Sequence, residues 1–275
     1  MLFQNIKVIV LDLDGTLLNN EKKVSERNIK AVLDCHRKGI HIIFATARAP
    51  RSVKQFLPKE LQSIGMMVYY NGALLRDQIT KMNYHYPIDA VHTAEIINFV
   101  MQTQPASFIA IEVQDTCYIN QNIKTNFITA TKPIVMTNEE MKQRSVSKIL
   151  LHSFSHYEKL EEQFRHKVNV ICTDQNQLVQ IMGRNVSKEN AVLNWCQKHE
   201  ISAKQVMAFG DDWNDIGLFK ECGYPIAMEN AILELKELAY CITDSNEEDG
   251  IACILEQIRS DVGETLIGAN DSISE

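Results

Sequence analysis

The sequence has few of the marks of a secreted, zinc-bound or membrane-embedded protein. Its seven cysteines run from Cys35 to Cys253 without one CxxC pair, and their number is odd. That spacing fits neither a disulfide framework nor a structural zinc site, so reduced thiols and a cytoplasmic location are expected. The eight histidines contain no HExxH-type spacing. No basic leader with a separate apolar segment precedes the first apolar run, and no run approaches the roughly 20 residues that span a bilayer. Positive charge is in deficit: the net charge is −7, which argues against a general binder of nucleic acid or of anionic membranes. A local Lys, Arg or metal ion can still dominate a single pocket for an anionic substrate. Internal repeats and low-complexity segments are also missing.

What is present is ordinary globular material. The chain has 275 residues, 45% of them hydrophobic and 23% charged, enough for a sizeable core and two domains. The run Val8-Ile9-Val10-Leu11 reads as a strand buried on both faces and leads straight into Asp12-Leu13-Asp14-Gly15-Thr16. Ser25 is placed to cap a helix that carries Ile29, Val32 and Leu33 on one face and closes at Gly39. A second strand over residues 41–45 ends in Thr46-Ala47-Arg48, with Pro50 in the first turn of the next helix. A third strand over residues 66–70 ends in Asn71-Gly72-Ala73.

From about residue 83 the rhythm changes. Helices are expected over 93–103, 138–144 and 157–164, with a strand over 146–151. Strand pairs at 108–113 with 116–119, and at 168–172 with 178–182, read as hairpins. The earlier rhythm then resumes: a helix from Ser187 to His199, strands over 206–209, 225–228 and 240–243, and a last helix over 249–259. The organisation expected is α/β. A doubly wound parallel-sheet core spans residues 1–82 and 186–262, an α+β insert spans 83–185, and a mobile acidic tail spans 263–275.

Open α/β sheets bind ligands beyond the carboxyl ends of their strands. Four polar clusters fall at such ends: Asp12 with Asp14, Thr46 with Arg48, Asn71 with Gly72, and Asp211 with Asn214 and Asp215. Each has a bland alternative. Asp12 and Asp14 could close a strand in a solvated acidic turn, Thr46 could cap a helix, Asn71-Gly72 could be only a turn, and Asp211 and Asp215 could be solvated helix-start acids. Taken together they suit phosphoryl transfer. Asp12 would attack phosphorus, and Mg²⁺ would sit on Asp12, the Asp14 carbonyl and Asp211, all hard oxygen ligands. Asn214 and Asp215, three and four residues on, could orient Asp211 or a metal-bound water. Thr46 and the Ala47 amide could hold phosphate at a helix start. Arg48 fits a surface position or a cap-facing contact equally well. Lys188, in the first helical turn after Ser187, is opposed by the helix dipole, a cost that carboxylates and a phosphate would reverse; otherwise it is a solvated surface lysine.

These motifs in this order resemble those of the haloacid dehalogenase (HAD) superfamily. Asp12-Leu13-Asp14-Gly15-Thr16 is similar to its first motif, Thr46-Ala47-Arg48 to its second, Lys188 to its third, and Gly210-Asp211-Asp212-Trp213-Asn214-Asp215 to its fourth. The large insert between the second and third resembles the Cof-like branch of phosphatases. The resemblance implies a HAD-like, Rossmann-type core and an insert that caps the site and selects the leaving group. It implies Asp12 as nucleophile, Asp14 as general acid/base, and Mg²⁺ at Asp12, Asp14 and Asp211, with Asp215 binding directly or through water. It implies phosphate held by Thr46, Ala47, Lys188 and Asn214, with Arg48, Asn71 and Gly72 beside it, and a small phosphorylated metabolite such as a sugar phosphate as substrate. Two residues depart from the pattern: Ala47 replaces a usual Gly, and Glu189 follows Lys188 where Gly is common. A sugar phosphomutase sharing the aspartyl-phosphate, and a non-catalytic phospho-accepting or metabolite-binding module, are the alternatives.

Overall fold

The computed structural model describes residues 3, 5–122, 131–173 and 177–258; the expected tail and the last residue of the expected final helix lie outside them. Two sheets organise the chain. Strands β1 (Val8–Leu11), β2 (His41–Ala45), β3 (Met66–Tyr69), β4 (Leu74–Asp77) and β5 (Asn83–His85) open the first. Strands β6 (Phe108–Val113), β7 (Thr116–Ile119), β8 (Ile134–Val135), β9 (Lys148–His152), β10 (Val168–Thr173) and β11 (Leu178–Gly183) form the second. The chain then returns to the first sheet with β12 (Val206–Gly210), β13 (Tyr224–Ala227) and β14 (Cys241–Ile242).

The first sheet has the order β14-β13-β12-β1-β2-β3-β4-β5. From β14 to β3 every neighbour is parallel. The chain builds outward from β1 through β2 and β3, then restarts on the other side of β1 with β12. The boundary between β1 and β12 is therefore the point where strand order reverses, and a crevice opens there at the carboxyl ends. β1 is buried along its whole length, as its unbroken apolar run requires. The helix Glu26–Arg37 has Ser25 as its N-cap, the Ser25 hydroxyl accepting from the Asn28 amide at 3.1 Å.

The first sheet runs further than the sequence indicated. β4 and β5 extend it antiparallel beyond β3. Both are short edge strands of mixed polarity, around a turn in which Asp77 accepts from the amides of Ile79 and Thr80. They carry no period that separates strand from loop. Strand pairing thus holds residues 83–85 in the first sheet, although the insert was expected to open at residue 83.

The second sheet, ordered β10-β11-β9-β6-β7-β8, is antiparallel except for the β7–β8 pair. Helices Ala90–Thr103, Asn138–Met141 and Tyr157–Phe164 accompany it, around a separate apolar core built on Ile96, Ile97, Ile111, Leu151, Leu160 and Ile181. Gln114, between β6 and β7, takes a φ of 54°, which closes the expected short turn. No helix of the described residues is long and apolar enough to cross a membrane.

Polar and charged groups join the two halves. Arg51, on the helix Pro50–Phe56, makes a two-pronged ion pair with Glu112 of β6 at 2.8 and 2.6 Å. Both side chains are under 10% exposed. The Arg51 amide donates to Asp115 at 2.7 Å, and the Tyr70 hydroxyl donates to the Gln114 carbonyl at 2.8 Å. Lys148 of β9 donates to the carbonyl of Ala47 at 3.1 Å. Removing one partner of a buried pair leaves an uncompensated charge, whereas replacing both by apolar groups does not. Glu112→Ala should therefore destabilise the protein by about 3 kcal/mol or more in urea denaturation. Arg51→Met combined with Glu112→Leu should recover most of that loss; a double variant no more stable than the single one would show that the pair is not what holds this contact.

Candidate active site

The loops after β1, β2, β3 and β12 converge on one cleft. The convergence follows from the topology, because parallel neighbours bring their carboxyl ends to one edge. The cleft has a volume of about 870 Å³. Asp12, Asp14, Thr46, Ala47, Arg48, Asp211 and Asn214 line one side, and Phe108, Glu112, Lys148, Leu150, His152, Thr173, Leu178 and Gln180 of the insert line the other.

Lys188 is the first residue of its helix, following Ser187 as N-cap. It is not on the surface: its side chain is fully buried. Its Nζ donates to Asp12 Oδ1 at 2.5 Å and to Asp215 Oδ1 at 2.7 Å. Burial alone would drive the ammonium toward neutrality, but the two carboxylates outweigh it and raise its pKa. Gly72 makes this position possible. It has a φ of +110°, and a Cβ there would come within 2.5 Å of the Ser187 carbonyl. The structure thus places Gly72 against the start of the Lys188 helix rather than in the cleft lining.

Asp211 receives the Thr16 hydroxyl at 2.8 Å, a contact the sequence reading did not anticipate although Thr16 stands in the first motif. Gly15, with φ +76°, gives this carboxylate its room, since a Cβ would meet Asp211 Oδ2 at 2.1 Å. Asp215 Oδ2 accepts from the Asp211 amide at 3.2 Å, so Asp215 braces the loop that carries Asp211. One carboxylate oxygen each of Asp12, Asp211 and Asp215 lies within 4.8 Å of the other two. Desolvation, then the like charge of Asp215, pushes Asp211 up to about 7. Asp12 is also raised well above its ordinary value, by burial first; the Lys188 charge opposes this and Asp215 and Asp211 add to it. Three such carboxylates around one ammonium form an all-oxygen donor set with an excess of negative charge. A hard divalent cation fits that set.

Asp14 is placed differently. β1 ends at Leu11, so the alternation that would align Asp14 with Asp12 has ended before Asp14 is reached. Its carboxylate lies outside the three-acid group and faces Arg48, whose Nε and Nη2 donate at 2.5 and 2.6 Å, and Lys22 at 2.9 Å. Burial tends to raise the Asp14 pKa, but Arg48 and Lys22 prevail and hold it below the usual carboxylate range. Arg48 is thus neither a free surface residue nor an open phosphate contact. It is bound to Asp14 and stacked over the Phe56 ring, 4.6 Å from its centroid.

Thr46 does not cap the next helix, whose N-cap is Ala49. Its Oγ1 accepts from the Arg48 amide at 3.1 Å, and Ala47 sits in a bend three residues before the helix, not at its start. The Thr46 carbonyl accepts from the Asn71 amide at 2.9 Å, and the Arg48 carbonyl from the Tyr70 amide at 3.2 Å. These bonds tie the two loops together. Tyr70 and Asn71 both take left-handed backbone conformations, φ 53° and 54°, a local cost typical of functional loops. Asn71 Oδ1 accepts from Asn214 at 3.2 Å. Glu189 lies over Gly217, where a Cβ would fall 2.5 Å from its Oε1, and takes no part in lining the cleft.

Comparison with known proteins gives the family. The model of the haloacid dehalogenase-like hydrolases matches residues 9–255. A Bacillus subtilis protein named 5-amino-6-(5-phospho-D-ribitylamino)uracil phosphatase YcsE is 27% identical over 254 residues, covering 90% of this chain and 94% of that one. The Bacillus subtilis phosphatase YwpJ is 23% identical over 286 residues, covering 92% and 100%. The crystal structure of TM0651 from Thermotoga maritima superposes with a TM-score of 0.80 at 25% identity, over 93% of this chain and 98% of that one. A family match that spans both halves of the first sheet and the insert between them, on a fold that gathers the matched motifs at one edge, places this chain among the haloacid dehalogenase-like hydrolases.

Proposed function

We propose that this hydrolase is a Mg²⁺-dependent phosphatase of small phosphorylated metabolites, sugar phosphates among them, and that it works through an aspartyl-phosphate at Asp12. The observation that carries the reading is the buried contact of Lys188 with Asp12 and Asp215, directly behind the cleft that Asp12 and Asp211 line. A surface turn has no use for such a cluster, whereas phosphoryl transfer needs a carboxylate nucleophile held next to fixed positive charge. The Bacillus subtilis relative named for a phosphoribitylamino-uracil supports a small phosphate ester as substrate.

The chain's residues divide the work. Asp12 attacks phosphorus with one carboxylate oxygen while the ester P–O bond breaks. Lys188, Thr46 and the Ala47 amide hold phosphate oxygens, and Asn214, steadied by Asn71, adds a side-chain donor. Asp14 gives a proton to the leaving oxygen and then takes one from the water that attacks phosphorus, which returns Asp12 as a carboxylate and releases inorganic phosphate. As paired with Arg48 and Lys22, Asp14 is ionised and suits the second step. Loading it with a proton for the first requires Arg48 to give way. Asp12, Asp211, the Asp14 carbonyl and Asp215, directly or through water, would hold Mg²⁺, which would supply the charge that lets a carboxylate approach an anionic phosphate.

Two outcomes follow. With Mg²⁺ and a panel of sugar phosphates the protein should release inorganic phosphate, and Asp12→Asn should lower the rate by at least roughly 10⁴-fold while the fold persists by circular dichroism. An isomerised sugar phosphate in place of free phosphate would contradict hydrolysis and indicate a mutase. The second outcome concerns pH. Asp211 titrates near 7 in the folded protein, above its ordinary value of 3.8, and Asp12 shifts the same way. Between those values these two acids hold more protons in the folded chain than in the unfolded one. Their contribution to the stability of the metal-free protein should therefore fall as pH rises from about 4 to about 7, and Asp211→Asn should flatten that part of the profile. Mg²⁺ should offset this loss, raising Tm by several degrees at pH 8 and by little at pH 5 in differential scanning fluorimetry. The same shift at both values, or none, would count against the three-acid cation site.

A further inference from the structure

The insert's side of the cleft is a mixed surface. Phe108, Leu150 and Leu178 make it partly apolar. Its charged groups have partners: Glu112 is held by Arg51, and Lys148 donates to the Ala47 carbonyl. Gln180 is different. It sits within β11, between β10 and β9, opposite Ile171 and Leu150. Its side chain lines the cleft, yet the residue is only 6% exposed. Its Nε2 donates to Thr173 Oγ1 at 2.9 Å, and the Thr173 hydroxyl passes its own proton on toward the Leu178 carbonyl at 3.5 Å. That relay fixes the amide with its nitrogen engaged and its oxygen turned away. Gln180 Oε1 is buried and has no hydrogen-bond partner among the described residues.

A buried acceptor without a donor lowers stability unless a water or a ligand supplies one, and at a cleft wall a ligand can take the water's place. The dianionic phosphate of the ester cannot: its oxygens are all acceptors and repel a carbonyl oxygen. The donor must come from the other part of the ester, the part that leaves. We propose that Gln180 is a specificity-determining residue. Its Oε1 accepts a hydrogen bond from a hydroxyl of the leaving group, so that the cleft selects uncharged, hydroxylated alcohols such as sugars and polyols over alkyl alcohols of the same length. A second anionic group on the alcohol would meet the same lone pairs and is disfavoured. This assignment rests on the phosphatase reading above and adds the residue that reads the alcohol.

The test compares two esters of matched length, sorbitol 6-phosphate and n-hexyl phosphate, with p-nitrophenyl phosphate as a reference. Wild type should prefer the sorbitol ester. Gln180→Met, which keeps the volume and removes the acceptor, should lower kcat/KM for the sorbitol ester by about tenfold, the weight of one hydrogen bond, and leave the hexyl ester unchanged. Gln180→Leu should do the same, and it carries the test if the Met variant does not fold. An equal loss on both esters, or an unaltered preference, overturns the role given to Gln180. Wild-type hydrolysis of p-nitrophenyl phosphate separates the two possible failures. If it persists, only the Gln180 assignment falls; if no ester is hydrolysed, the phosphatase reading falls and this assignment with it.

Discussion

The structure depends on one buried ammonium between two carboxylates. Taking a charge out of water costs several kcal/mol even after relaxation, and Lys188, Asp12 and Asp215 are all almost fully buried. None is tolerable there alone. Lys188 comes from the first turn of a helix, Asp12 from the end of β1 and Asp215 from the loop after β12, so the contact fastens three separate segments. Their positions rest in turn on residues without side chains. Gly72 lets the Lys188 helix start close by, and Gly15 leaves room for the Asp211 carboxylate. The bonds of Lys188 go to the other two acids, and burial, then the like charge of Asp215, pushes Asp211 up to about 7.

The two sides of the cleft are mechanically connected. The loop that holds Thr46 and Ala47 is bonded on one side to Tyr70 and Asn71. On the other side the insert grips it, through Lys148 at the Ala47 carbonyl and through Arg51 and Glu112 just beyond. The backbone proposed to face phosphate is thus also a docking surface for the insert. Residue 47, where Ala stands instead of the usual Gly, lies within this contact, so on the proposed reading the same short segment serves both phosphate and the insert.

Much of this was legible because parallel strands obey a strong rule. Once β1, β2, β3 and β12 are read as parallel, their carboxyl ends must share an edge, and Asp12, Thr46, Asn71 and Asp211 come together without further information. The chain's membership of its family could be read from the same residues. The partners of Lys188 could not be read from its neighbourhood, because Ser187-Lys188-Glu189-Asn190 has the composition of an exposed helix start. Its carboxylates come from 176 and 27 residues away. Arg48 was ambiguous for a similar reason, since its pairing depends on where the chain turns after β1. The short edge strands β4 and β5 carry no period to betray them. Gln180 and Glu112 look like outward positions on half-buried strands, and only tertiary packing reveals that this outward face is covered by the other half of the molecule.

The central claim is that Asp12 receives the phosphoryl group, and chemical capture tests it most directly. Enzyme and sugar phosphate are mixed with Mg²⁺, quenched in acid within the first turnover, digested and analysed by mass spectrometry. The account predicts one phosphoryl group on the peptide that contains Asp12, removed by hydroxylamine and missing from Asp12→Asn. A phosphoryl group on any other side chain, or phosphate release at the wild-type rate from the Asp12→Asn protein, would contradict it.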